Sequence, residues 1–148
     1  MKAISLWQPW ASLIMLGTKS IETRSWSTAY RGPLLIHAAK RLNKNELKMI
    51  AEDPAFDDGL ALAGGASFQN LLNLPRGVLL GRVELVDCRR TDSFKMEELL
   101  DEWPYGNFES GRFGWVLERP VIFDPPMEYK GAQGLFEVHH SFVRGELT

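Results

Sequence analysis

Apolar and polar positions alternate weakly over Met1–Trp7, which predicts a first strand running into a helix over Pro9–Leu16. Pro9 suits a first helical turn, where its missing N–H is not needed. Trp10, Leu13 and Ile14 recur at helical spacing and should face a core, and Gly17 stands where a left-handed cap is wanted. Ser20–Trp26 follows as a strand. Its period of two puts Glu22, Arg24 and Trp26 on one face and Ile21 and Thr23 on the other. Tyr30-Arg31-Gly32-Pro33 is a turn, and Leu34–Ala39 a strongly apolar strand with His37 inside it.

Asn43–Glu52 predicts a helix with Leu47, Ile50 and Ala51 as its apolar stripe. Asn43 is its N-cap, Glu46 stands three residues on, and Pro54 ends it. Residues 55–75 read as ambiguous, loop-like around Gly64-Gly65 with a short helical turn over Phe68–Leu74. Gly77–Cys88 is the clearest strand, with Leu79, Val83 and Leu85 on one face and Arg82 and Glu84 on the other. A short helix with an acidic face over Met96–Trp103 is stopped by Pro104. Phe113–Glu118 and Leu135–His139 are the final strands, and one more fits around Val121–Phe123.

Strands interleaved with short helices, without regular βαβ spacing, argue against a doubly wound parallel sheet. They predict an α+β fold: a mixed, mainly antiparallel sheet or small open barrel with helices on its outside and ends. At 148 residues the chain reads as a single domain over 1–148. No apolar run is long enough to span a membrane, and the N-terminus lacks the pattern of a signal peptide, so the chain reads as cytoplasmic.

Charge sharpens this picture. The net charge is −2, yet residues 1–48 carry eight Lys or Arg against two acids. Either an anionic partner meets the basic half, or the two halves neutralise each other in the fold. His37, His139 and His140 are scattered and Cys88 is the only cysteine, so no metal site is expected. No Walker-type loop, G-x-G-x-x-G or G-x-S-x-G is present, and no cofactor is expected.

What remains is Gln8, Lys19, Glu22, Arg24, Trp26, Arg31, His37 and Lys40, all in the basic half. Cations neutralise phosphate, and tryptophan offers a stacking face to a base. Gln8, Glu22 and His37 could meet polar edges. The same set permits chemistry, with Lys19 and Glu22 as an acid–base pair and Arg24 beside a developing negative charge. It equally permits a Lys19–Glu22 or Glu22–Arg24 ion pair that merely finishes a strand. Trp7, Trp10 and Trp115 read as core.

These residues resemble the ASCH (activating signal cointegrator homology) family of the PUA-like superfold. Ser5-x-Trp7-Gln8-Pro9-Trp10-Ala11 looks like its opening, and Gly17-x-Lys19-x-x-Glu22-x-Arg24 like its signature G-x-K-x-x-E-x-R. Trp26, Arg31-Gly32 and the strand to Lys40 continue the likeness. Gly77–Gly81 and Phe113–Leu117 resemble its later strands, and Lys130–Leu135 the end of stand-alone bacterial and phage-type members.

The resemblance implies a small β-barrel flanked by helices, with a cleft lined by the signature residues, and a partner that is RNA, another nucleic acid or a nucleotide. Some members resemble metal-independent ribonucleases. A divergent branch hydrolyses an acylated cytidine with a Thr nucleophile, a Lys and a Glu. Its Lys matches Lys19, but its Thr falls where this chain has Glu22, and Thr23 is aimed the other way. The residues thus leave three readings: a nucleic-acid or nucleotide binder, a hydrolase using Lys19 and Glu22, and a protein-interaction module.

Overall fold

The structure, a computed structural model, describes residues 1–139; His140 lies outside them. The elements run β1 (Lys2–Leu6), α1 (Trp10–Met15), β2 (Ile21–Arg24), β3 (Gly32–Ala38), α2 (Lys44–Ala51), α3 (Pro54–Gly59), α4 (Phe68–Asn73), β4 (Val78–Arg90), α5 (Met96–Leu99), β5 (Phe113–Glu128) and β6 (Phe136–Glu137). The six strands form one sheet in the order β2-β5-β4-β3-β1-β6. All neighbours are antiparallel except β1 and β3, which run parallel from Ala3 opposite Leu35 to Leu6 opposite Ala38.

The α+β class is as expected, but the barrel does not close. β2 and β6 are the sheet's two edges. β6 covers β1 only at Lys2 and Ala3, so the far half of β1, from Ser5 onward, has no strand beside it on that side. A side chain from the opposite edge reaches this gap instead: Arg24 Nη2 donates to Ser5 O at 3.0 Å.

Of the four apolar clusters among the described residues, three hold the layers together. Leu34, Ile36 and Ala38 of β3 pack with Ile4, Leu6, Ile14, Val83 and Trp115. Leu35 faces the other way, into a smaller cluster with Ala3, Leu79 and Phe123. That two-sided cover explains why β3 reads as nearly continuously apolar. Leu13 turns outward from α1 into the helical cluster of Leu47, Ile50, Phe56, Leu60 and Leu71. The helix expected over Pro9–Leu16 is α1, a wedge between sheet and helices with Leu13 and Ile14 both buried.

Several boundaries differ from the expected ones. Pro54 does not merely end a helix. It opens α3 in its first turn, where Asp53 accepts from Ala55 N at 3.0 Å. Pro104 likewise sits inside a short 3-10 turn, Trp103–Tyr105, after α5 has stopped at Leu99. The two strands expected at 113–118 and 121–123 are one strand of sixteen residues. β2 covers the outer edge of β5 only as far as Val116. Beyond it, Pro120, Pro125 and Pro126 fall where the β4–β5 register shifts, the bulge positions at which a strand tolerates proline. The strand expected over Leu135–His139 pairs only at Phe136–Glu137.

Gly81 marks the tightest crossing. A Cβ there would collide with the carbonyl oxygen of Val121 and lie 2.5 Å from Met15 Cε. Gly81→Ala should therefore lower stability in urea denaturation by roughly 1–3 kcal/mol, the usual cost of overpacking. An unchanged midpoint would show that β4, β5 and α1 do not pack this closely.

Candidate functional site

The gap between the edges of the sheet is a cleft of about 1830 Å³. One wall is the end of β1 with Ser5, Leu6 and Trp7, and the facing wall is β2 with Glu22, Thr23 and Arg24. Tyr105 and Asn107 line the cleft beside β2. The loop over residues 129–134 lines it beside His37 of β3.

β2 presents Glu22 and Arg24 on one face, as its alternation requires. Arg24 Nε donates to Glu22 Oε2 at 3.1 Å while its Nη2 holds Ser5 O. Trp26, just beyond the strand, lines the cleft and stands edge-on to Trp115 with ring centroids 4.8 Å apart. Thr23 lies on the strand's other face, meeting the cleft beside Asn107, and accepts from Asn107 N at 3.2 Å.

Lys19 is 1% exposed and does not line the cleft. Its Nζ donates to Ile21 O at 2.6 Å and Tyr105 O at 2.7 Å, and stands 3.6 Å from Glu22 Oε1. Two carbonyl oxygens take hydrogen bonds from the ammonium, and the Glu22 carboxylate balances its charge. Burial pulls its pKa below the ordinary lysine range, while Glu22 and Glu102 push it back up. Glu102 is a second buried anchor, accepting from Ser20 N, Ser20 Oγ and Ile21 N.

His37 is buried at the cleft wall. Its Nε2 lies 2.7 Å from Tyr129 O, which can only accept, so Nε2 carries the proton and Nδ1 accepts from Ser5 Oγ at 2.9 Å. Burial lowers its pKa, partly opposed by the Tyr129 bond. A Cβ at Gly131 would lie 2.6 Å from His37 Cε1, so the 129–134 loop rests directly on the imidazole.

Two other candidates sit elsewhere. Gln8 is buried as a brace: its Oε1 accepts from Ser12 N in the first turn of α1, and its Nε2 donates to Pro75 O. Arg31 is exposed outside the cleft, bonded to Thr28 O and Tyr30 O and 3.7 Å from Asp87. Lys40 does line the cleft and is exposed. So β2 and β3 bring together Glu22, Arg24, Trp26, His37 and Lys40, and leave out Gln8, Lys19 and Arg31.

The cleft also recruits residues the sequence reading passed over. Arg41, Arg76, Arg112 and Lys130 join Arg24 and Lys40, giving six cations against only Glu22 and Glu128. Trp7, 40% exposed and not core, adds an aromatic face with half-buried Trp10. Arg41, Arg76 and Arg112 stand in loops or at strand ends, where no periodicity reports on direction. Lys130 was legible within the glycine-rich run at 130–134. Among the described residues no group of three or more His, Cys, Asp or Glu could hold a metal ion, and no helix is long and apolar enough to cross a membrane.

Residues 4–133 match the ASCH domain family model. The chain belongs to the ASCH domain family. It is 38% identical over 144 residues to human activating signal cointegrator 1 and 37% identical to the mouse protein. In each case 96% of this chain aligns with 23% of the relative, so the chain spans under a quarter of their length. The crystal structure of ASCH from Zymomonas mobilis superposes with a TM-score of 0.54 at 12% identity, covering 99% of this chain and 92% of that one. That likeness is one of fold. Within this ASCH domain, the signature Lys19-x-x-Glu22-x-Arg24 is a linked set in which only the last two side chains reach the cleft.

Removing the buried ammonium leaves Tyr105 O without its donor and Glu22 with one cation fewer. Lys19→Met should therefore cost roughly 3–5 kcal/mol of stability, the range for breaking a buried ionic contact from one side. Thermal and urea denaturation check this; a variant as stable as the wild type would remove Lys19 from its structural role.

Proposed function

We propose that this ASCH domain binds nucleic acid, with single-stranded RNA as the leading ligand, in the cleft between β1 and β2. The carrying observation is electrostatic: six Lys and Arg side chains against two carboxylates line one cleft of a chain whose net charge is −2. Such a concentration of positive charge raises the local density of phosphate and steers an anionic polymer inward. Lys40 and Arg41, exposed at the rim, are the phosphate contacts, with Arg76 beside them. Trp7 and Trp26 offer faces for stacking, worth about 1–3 kcal/mol per base. Glu22, pinned between Lys19 and Arg24, is an oriented acceptor for an amino group on a base edge.

The hydrolase reading needs Lys19 as a proton carrier at the ligand. Its two hydrogen bonds to backbone carbonyls, its ion pair with Glu22 and its burial support the binder instead. A nucleotide would use the same contacts with fewer phosphates.

Fluorescence anisotropy with a labelled single-stranded RNA tests the proposal. Log affinity should fall linearly with log salt, by about 0.7 per phosphate contact. The Lys40→Glu/Arg41→Glu double variant should weaken binding to many sequences alike and flatten that slope by about 1.4, two contacts' worth. Arg31→Glu, outside the cleft, should bind as the wild type does. Binding indifferent to salt and to Lys40 and Arg41 would overturn the proposal.

A further inference from the structure

The helical stretch over residues 95–105 carries apolar side chains on two sides. Leu99 points inward, 5% exposed, and packs with Ile21, Phe94 and Phe108. Met96, Leu100 and Trp103 point outward, 70%, 64% and 50% exposed. Leu100 and Glu102 keep right-handed helical backbone between α5 and the Trp103–Tyr105 3-10 turn, so Met96, Leu100 and Trp103, four and then three apart, fall along one side of the stretch. Trp103 is held edge-on against Phe108, centroids 5.3 Å apart, so half of its ring is anchored and half is offered to solvent.

A ridge of three large apolar side chains kept in solvent by an anchored ring needs a partner to account for it. The surrounding charge says which kind. Glu97 and Asp101 are exposed beside the ridge. Tyr105 Oη donates to Ala55 O at 2.7 Å, which seats the 53–59 segment, with its exposed Asp53 and Asp58, against the same turn. Glu98 is occupied by Arg89. Lys95 is exposed at the start of the stretch, but Glu97, Asp101, Asp53 and Asp58 outnumber it, and a surface of this sign repels phosphate, so the nucleic acid of the cleft is not its occupant.

We infer that the Met96–Leu100–Trp103 ridge with its acidic flanks is a docking surface for a basic amphipathic helix of another protein. Leu- or Phe-type side chains of that helix pack against the ridge, and its Lys or Arg side chains meet Glu97, Asp101 and Asp58. The ridge ends at Trp103, and the cleft wall begins at Pro104. The two surfaces are therefore contiguous in the chain and opposite in charge, and this surface stands whether or not the cleft binds RNA.

The probe is an 18-residue Leu/Lys peptide with Leu at helical spacing, beside a scrambled peptide of equal composition. Binding is read by anisotropy and by amide chemical-shift mapping on the full chain. The expected result is that the amphipathic peptide binds at least tenfold tighter than the scrambled one and shifts residues 96–103. Met96→Ser/Leu100→Ser and, separately, Glu97→Lys/Asp101→Lys should each weaken it at least tenfold. Lys40→Glu/Arg41→Glu should leave that shift pattern on residues 96–103. Equal binding of both peptides, shifts confined to other surfaces, or self-association of the chain through this ridge would each overturn the inference.

Discussion

A chain of polar contacts starting at Tyr105 O and passing through Lys19, Glu22 and Arg24 to Ser5 O carries the architecture of the cleft. It links the turn after α5, the segment after α1, and strands β2 and β1, which no backbone ladder joins directly. An ammonium taken out of water costs several kcal/mol, and the contact is sustained because carbonyl oxygens and a carboxylate replace the lost hydration. Glu102, bonded to Ser20 and Ile21, fixes the same junction from below. Together they set how far β2 stands from β1.

That spacing has a chemical consequence. A fully closed barrel would fill the place between β1 and β2 with hydrogen-bonded backbone. Here Arg24 spans the opening by a single side chain, and the rest of the gap is lined by side chains from both edges and from nearby loops. The ion pairs within the signature consume one face of Glu22 and Arg24, so the cleft's excess charge comes mostly from loop residues: Lys40, Arg41, Arg76, Arg112 and Lys130. The signature shapes the cleft, and the loops charge it.

Much of this was legible in the sequence, to the extent that periodicity reports direction. Alternation along 20–26 placed Glu22, Arg24 and Trp26 together, and the apolar stripe of α1 gave the buried Leu13 and Ile14. Lys19 and Gln8 were legible as important but not as buried, because each precedes or follows a turn where spacing says nothing about depth. Arg31 shares its charge with Lys40 but not its side of the fold. An open sheet or open barrel was among the expectations, but the place where it opens was hidden: that depends on where β6 stops pairing, and a two-residue strand leaves almost no pattern. The glycine-rich 130–134 run was visible, but its seat on His37 is a tertiary contact.

A crystal structure of the protein with a bound single-stranded RNA oligonucleotide tests the central claim most directly. The account predicts phosphates against Lys40, Arg41 and Arg76 and bases beside Trp7 or Trp26, with Lys19 Nζ still held by Ile21 O, Tyr105 O and Glu22. An RNA seated elsewhere, or a Lys19 that has left those acceptors to touch the ligand, would contradict it.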